Sequence, residues 1–481
     1  MQRRLVLKIL VIVMSFIGLA MLLPMAVALL YGEFDCAKSF LICSVPMAIL
    51  GMLGLSHFKE ASFVDNLRIG DGFAVVGLTW IFMSAFGALP FVINGDIPNF
   101  IDAFFETASG FTTTGATILT EIETLNQGSL FWRSFTHWIG GMGILVLTIA
   151  LLPKLGIGGQ RLMNAESTGP IKGKTAVTYL KSARSLYLIY IGITLAEFVA
   201  LMIAGLSPFD SIIHTFGSVG TGGFSNYNAS VAAFNSLPVE IVIGIFTIMC
   251  GVNFSLYAMF LSGDRKAFNN TEFKVYIGIL IFSISFITFQ IHDLRAAFFQ
   301  VASIISTTGF ATVDFDLWPA ASKFVMMCLM FCGSCGGSTA GGIKVIRLVI
   351  MGKYIRSGMR AKLHPSSVYT TKLDSGKISE DVMMQSAGFI ALYLIITLVC
   401  AVIITIAGTD CLTSFAASLA CISNIGPGFG GVGPTCNFAF FSAPIKFMLA
   451  ILMIAGRLEI YTILLMFSPE NFWRKKHSSV A

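Results

Sequence analysis

Charge is the scarcest thing in this sequence. Of 481 residues only 12% are Asp, Glu, Lys or Arg, about half the share of an ordinary soluble domain. Histidine occurs six times, tryptophan five times and proline fourteen times. The net charge of +6 is spread over short segments with no continuous basic face, which argues against a nucleic-acid partner. The ten cysteines are scattered, mostly inside apolar stretches. The one C-x-x-C, Cys332 with Cys335, has neither the second pair nor the βαβ setting that a zinc or redox role needs. His137 and His214 lie in different parts of the chain without a matching acid pair, so the constellation of a membrane-embedded enzyme is missing and the chain is read as no enzyme.

What abounds is apolar surface: 56% hydrophobic residues, 12% aromatic, and a mean hydropathy of +0.83. A soluble globule has no interior for that much, and disorder has the opposite composition. Ten runs long enough to span a bilayer lie near residues 9–31, 39–57, 72–94, 130–152, 185–206, 238–262, 273–291, 320–351, 383–407 and 444–467. The first follows Arg3, Arg4 and Lys8, and Ala26-Val27-Ala28 mimics a cleavage site. Its uncharged stretch from Ile9 to Gly32 exceeds a signal core, so it is read as a span. Segment 154–184 carries six Lys/Arg against Glu166 alone, and loop 353–381 six against three acids. The N-terminus, and Arg474, Lys475 and Lys476 at the C-terminus, fall on the same side if ten helices alternate, whereas 224–237 and 427–443 carry no charge. Both termini are therefore expected in the cytoplasm.

Between certain runs lie four segments too short to span: Asn99–Gly115, Ser207–Gly223, Asp293–Gly309 and Asp410–Gly426. Each is an apolar stretch, then small polar residues, then a Gly. Asp102 and Asp210 stand thirteen residues before their Gly, Glu106, His214 and Gln300 nine before theirs, and Thr113, Thr221, Thr307 and Asn424 two before. The spacing of Gly115, Gly223, Gly309 and Gly426 is 108, 86 and 117 residues, so one unit is copied four times. The unit is helix, half-helix, loop ending in Gly, helix, and the half-helix covers about half a bilayer core.

The fold expected is an all-α polytopic membrane protein of four pseudo-symmetric helix–pore-helix–filter-loop–helix repeats, channel-like, plus two leading transmembrane helices. The boundaries are 1–70 for the leading pair, then 71–155, 182–264, 272–352 and 385–468. Non-helical backbone at membrane depth survives only where protein buries it or water lines it. Four such loops converge on an axis where their carbonyls replace the hydration shell of a monovalent cation. The candidate cation ligands are Thr113, Thr114 and Gly115, Thr221, Gly222 and Gly223, Thr307, Thr308 and Gly309, and Asn424, Ile425 and Gly426. Glu106, His214 and Gln300 are read as holding the loops from behind.

The strings Ser109–Thr117, Thr221–Ser225, Thr307–Phe310 and Asn424–Gly428, the Gly-rich stretch 333–342 followed by Ile343–Arg347, Leu363-His364-Pro365, and Gly456-Arg457-Leu458-Glu459 resemble the Trk/Ktr/HKT superfamily of potassium transporters. The chain is most similar to the membrane subunits of bacterial Trk uptake systems. The resemblance implies that the repeats are potassium-channel-like, with potassium as the transported ion, no covalent cofactor, and a location in the cell (inner) membrane in contact with its lipid. It also implies a homodimer with one pore per subunit, and a cytosolic ring of nucleotide-binding Trk regulatory subunits that gates the pore. All four filter positions are Gly, which in this superfamily goes with potassium rather than sodium. The pair Asn424-Ile425 departs most from the pattern. An H+- or Na+-coupled potassium carrier, a symporter, is the alternative, with Glu197 as the mid-span carboxylate.

The gate candidates are Gly336, Gly337, Ser338, Thr339, Gly341, Gly342, Lys344 and Arg457. Small residues at 333–342 hold a helix poorly, each interior Gly costing about 1 kcal/mol relative to Ala. Ile343 stands where a phosphate loop needs Lys. A mid-membrane break lining the water path is therefore expected. Arg457 is read as the one basic residue deep in a spanning run, held by Glu197 or by carbonyls freed at the break, and level with it.

Overall fold

The computed structural model describes residues 3–57, 69–143, 176–364, 371–374 and 376–466. Most of segment 154–184, Pro365 and the basic C-terminal residues lie outside them. Among the described residues, six helices are long and apolar enough to cross a bilayer, and Leu237–Cys250 with Phe254–Leu261 has the length and composition of a seventh if the two, bent by 88°, count as one span. Their outward faces carry large apolar side chains, such as Leu188, Leu195 and Ile203 on Ala176–Ile203, while Glu197 and Leu201 on the same helix are buried. That arrangement suits hydrocarbon outside and protein inside, and the chain is a multi-pass membrane protein.

Four short helices, Phe100–Phe111, Pro208–Val219, Leu294–Ile305 and Cys411–Ser423, are 12, 12, 12 and 13 residues long. Each starts on a side-chain cap: Asn99, Ser207, Asp293 and Asp410 accept the amide of Ile101, Asp210, Ala296 and Thr413. Capping fixes where each helix begins, because it satisfies a donor the helix cannot. Each short helix packs on the long helix before it, on the helix after it, and on the helix that follows the preceding short helix. For the first short helix this last neighbour is Ala443–Arg457, near the other end of the chain, so the order closes into a circle. The leading helices pack against Ile69–Asn94 and Gln127–Gly141, and Glu33 between them accepts the amides of Gln127 and Gly128.

Several spans expected to be continuous are interrupted, in addition to the break expected within run 320–351. Run 130–152 is a helix only to Gly141, with 144–152 outside the described residues. Run 238–262 bends by 88° between Cys250 and Phe254. Run 320–351 stops at Cys332 and restarts at Val345, and run 444–467 stops at Arg457 and restarts at Tyr461. The first run is two helices, Arg3–Ala20 and Leu22–Leu30. Much of the expected loop 353–381 is also helix: Val345–Leu363 runs on for three turns past residue 352, and Lys372–Leu373 with Gly376–Lys377 form a small antiparallel hairpin.

Candidate functional site

The four loops that follow the short helices share one backbone. Thr113, Thr221, Thr307 and Asn424 all sit in the left-handed region, at φ 56°, 55°, 55° and 55°, and two residues later Gly115, Gly223, Gly309 and Gly426 have φ of 78°, 76°, 83° and 93°. A β-branched residue at positive φ is an outlier, so three threonines in this state mark a conformation imposed by the packing around them. The glycines have a second reason to lack a side chain. A Cβ on Gly115 would lie 2.0 Å from the Gly222 carbonyl oxygen, one on Gly223 2.0 Å from that of Thr308, one on Gly309 2.1 Å from that of Ile425, and one on Gly426 2.7 Å from that of Thr114. Each glycine thus abuts the carbonyl just before the glycine of the next loop, and the fourth abuts the first. The four loops form a closed ring of neighbours, and all four glycines line one open recess with Thr117, Tyr227 and Asn437.

Behind the ring, residues nine positions before three of the glycines hold the chain just past them. Glu106 accepts from the Thr117 hydroxyl at 2.9 Å and the Ile118 amide at 3.0 Å. His214 Nε2 meets Ser225 Oγ at 3.0 Å, and the Gln300 amide oxygen accepts the amides of Thr312 at 2.8 Å and Val313 at 3.3 Å. Ala417 stands at the fourth position, and there Thr413 Oγ1 accepts the Gly431 amide at 2.8 Å instead. Arg133, 3% exposed, pairs with Glu106 at 2.6 Å, donates to the Ser225 carbonyl at 2.8 Å, and lies over the Phe224 ring. His137 spans two loops: Nδ1 bonds the Gly110 carbonyl at 2.7 Å and Nε2 accepts the Phe224 amide at 3.2 Å. Only the neutral imidazole with its proton on Nδ1 makes both bonds. The segments beyond the glycines are themselves tied in a circle. Asn228 bonds Ile122 and Glu123, Ala232 bonds Ala311, Gly430 bonds Asp316, and Phe438 bonds Thr117.

On the side of the ring away from the recess lies the interruption at residues 333–344. It is buried over most of its length, and Gly333, Gly337, Gly342 and Lys344 take positive φ. Its contacts reach the interrupted helices of the second and fourth units, and Arg457 extends them to that of the first. Cys335 donates to the Gly251 carbonyl and Phe254 to that of Gly337, at 3.0 and 3.1 Å, across the bend of the second unit. Arg457 donates to the Thr339 carbonyl and to those of Gly140 and Gly141, at 2.8 and 2.7 Å for the last two. Carbonyls at a helix end and in the break are natural partners of a guanidinium here, because they keep lone pairs that no helical amide takes up. Lys344 Nζ bonds the Ala340 carbonyl, and Glu272 accepts the Gly336 amide at 2.6 Å. The interruption also touches the ring. The Gly341 amide donates to Thr307 Oγ1 at 2.7 Å, and Ser334 Oγ donates to the Ile305 carbonyl at 2.8 Å.

A sequence model described as "TrkH: Cation transport protein" matches residues 38–290 and 287–475. This chain belongs to the TrkH cation transport family. TrkH relatives include the Trk system potassium uptake protein TrkH of Salmonella typhimurium, 37% identical over 96% of this chain and 98% of its own. TrkG of Escherichia coli K12, named as a Trk system potassium uptake protein, is 35% identical over 95% and 96%. The crystal structure of the potassium transporter TrkH from Vibrio parahaemolyticus superposes with a TM-score of 0.87 at 32% identity, covering 98% of this chain and all of that one.

Within this TrkH-family fold, Gly115, Gly223, Gly309 and Gly426 and the two residues before each come together. The gate candidates and Arg457 come together beneath them. Glu197 does not join either group: it is buried and neither carboxylate oxygen has a hydrogen-bond partner. Arg457, itself half-buried, is not the only basic residue within an apolar run. Arg133, Lys344 and Arg347 are buried in such runs, and Arg347 pairs with Glu459 at 2.6 Å. Arg133 and His137 carried no periodic signal, since each serves loops of two different units. The pairing of Arg133 with an acid on the first short helix was the one clue available.

Proposed function

We propose that this chain takes up potassium ions along the axis enclosed by the four loops, with the interruption at 333–344 and Arg457 closing that path. The closed order of glycine against carbonyl is the observation that carries the reading. A ring of uncharged carbonyls substitutes for the water around a monovalent cation without trapping it as carboxylates would. The C-terminal ends of the four short helices meet at the same loops and add their negative partial charge. The relatives named as potassium uptake proteins agree with this reading, and the four glycines favour potassium over sodium. A guanidinium opposes a cation by about 4 kcal/mol at 4 Å with an effective dielectric of 20, so Arg457 beside the break raises the barrier that the break narrows. On this reading the recess faces outward, both termini face the cytoplasm of the inner membrane, the protein works as a homodimer, and a cytosolic nucleotide-binding ring docks on the basic surface that includes Lys353, Arg356 and Arg360.

The deciding experiment is the purified protein in potassium-loaded liposomes with single-channel recording. Discrete steps are expected, with Gly115→Ser and Gly223→Ser lowering the preference for potassium over sodium. Unchanged selectivity in both variants means that these loops are not the filter. Glu197 favours a second reading, an H+- or Na+-coupled carrier, because a buried carboxylate without a bonded partner is a natural carrier of a proton. Slow saturating flux without steps, abolished in Glu197→Gln, would establish the carrier.

A further inference from the structure

The four residues two positions before the glycines occupy one level of the ring and share one conformation, yet their side-chain oxygens are used unequally. Thr113 Oγ1 and Asn424 Oδ1 are buried with no hydrogen-bond partner. Thr221 Oγ1 donates to the Gly220 carbonyl at 2.7 Å, which leaves its lone pairs free. Thr307 Oγ1 alone is approached by a donor, the Gly341 amide at 2.7 Å. Gly341 is wedged in place: a Cβ on it would lie 2.2 Å from the Ser423 carbonyl oxygen and 3.0 Å from Asn424 Cβ. A buried oxygen without a donor leaves its desolvation uncompensated, so this level is short of positive charge. The break supplies some, as an N–H, at one of the four corners.

We infer that Thr307 couples the break to the ring. Its hydroxyl oxygen bonds either the Gly341 amide, with the break seated, or a dehydrated cation at the inner level, with the break released. This rests on the loops being a cation path, and it specifies how that path is regulated. An N–H on Thr307 and a cation on the same oxygen exclude each other, because both need the lone pairs that face the level and their positive charges repel. Linkage then makes the coupling reciprocal: a cation at the inner level weakens the seat of the break, and a seated break weakens cation binding there. Thr307 is a positioning residue for the break in addition to its place in the ring.

Three measurements test this. In liposomes without the cytosolic partner, Thr307→Val is expected to pass potassium about two- to tenfold faster than Thr221→Val, the factor that one hydrogen bond supplies. The two changes remove the same hydroxyl from equivalent corners, so equal fluxes overturn the coupling. In chains lacking Ser338–Gly341 the ratio between the two variants should fall to about one, since no amide remains to bond, and a ratio that persists also overturns it. Should Thr307→Val not fold, the wild-type protein decides. Hydrogen exchange in the peptide covering 333–344 is expected to be faster in potassium chloride than in N-methylglucamine chloride of equal ionic strength, and identical exchange overturns the coupling. Failure of the cation path itself looks different: wild-type flux would be absent, or its selectivity unmoved by Gly115→Ser.

Discussion

Glu106 and Arg133 are the most demanding pair in the molecule. Both are almost wholly buried, and both are tied to backbone of two different loops. Removing one partner of such a pair leaves a buried charge alone and costs about 3–5 kcal/mol, whereas replacing both with apolar residues is far milder. Glu106→Ala is therefore expected to lower the thermal unfolding midpoint in detergent sharply, and Glu106→Leu combined with Arg133→Met to lower it less. Equal losses would mean that the bonds to Thr117 and Ile118 matter and the charge does not. Arg457 is a different case, because it donates to the backbone carbonyls of Thr339, Gly140 and Gly141. Arg457→Gln keeps two donors and loses the charge, so it should fold and raise potassium flux in the absence of the partner. Wild-type or lower flux from a folded Arg457→Gln would make Arg457 a strut between Thr339 and Gly140.

Among elements, the four loops are alike in backbone but unequal in tolerance. A methyl group at Gly115, Gly223 or Gly309 meets a carbonyl at about 2 Å, and at Gly426 the gap is 2.7 Å. Replacement by alanine is accordingly expected to cost least at Gly426, both in stability and in selectivity, although its φ of 93° keeps some strain. Selectivity measured as the potassium-to-sodium flux ratio checks the order, and a Gly426→Ala variant worse than Gly115→Ala would contradict it. The loops and their short helices were legible in the sequence because Gly and Thr recur at fixed distance from a polar cap and an apolar stretch. The interrupted helices were legible only at 333–342, where five glycines accumulate. The bend at Gly251-Val252-Asn253 interrupts an apolar run without lowering its hydropathy, and it exists because Asn253 caps the next helix and Tyr276 and Ser334 crowd Gly251. His137 and Arg133 bind loops brought near by folding alone, so no local pattern could assign them.

At the scale of the whole molecule, the proposed topology puts the basic and the uncharged segments on opposite sides of the membrane. Impermeant thiol labelling in intact cells, over the background of the native cysteines, should modify Asn228→Cys, beside the exposed Glu123, and spare Lys372→Cys in the hairpin. Labelling of Lys372→Cys from outside would invert the topology and turn the recess toward the cytoplasm. The leading helices and the outer faces of the long helices contribute apolar surface and no group to the ring. Their share of the sequence is large and their message simple, which is why membrane class was the easiest property to read and site detail the hardest.

The ring closes on itself within one polypeptide, and that has a genetic corollary. In an assembly of four identical subunits, every codon is expressed four times around the axis, so any change there is symmetric and drastic. Here each quadrant has its own codons. A mutation alters a single corner, Asn424 can persist opposite threonines, and Thr307 can take on a task that Thr113 and Thr221 are spared.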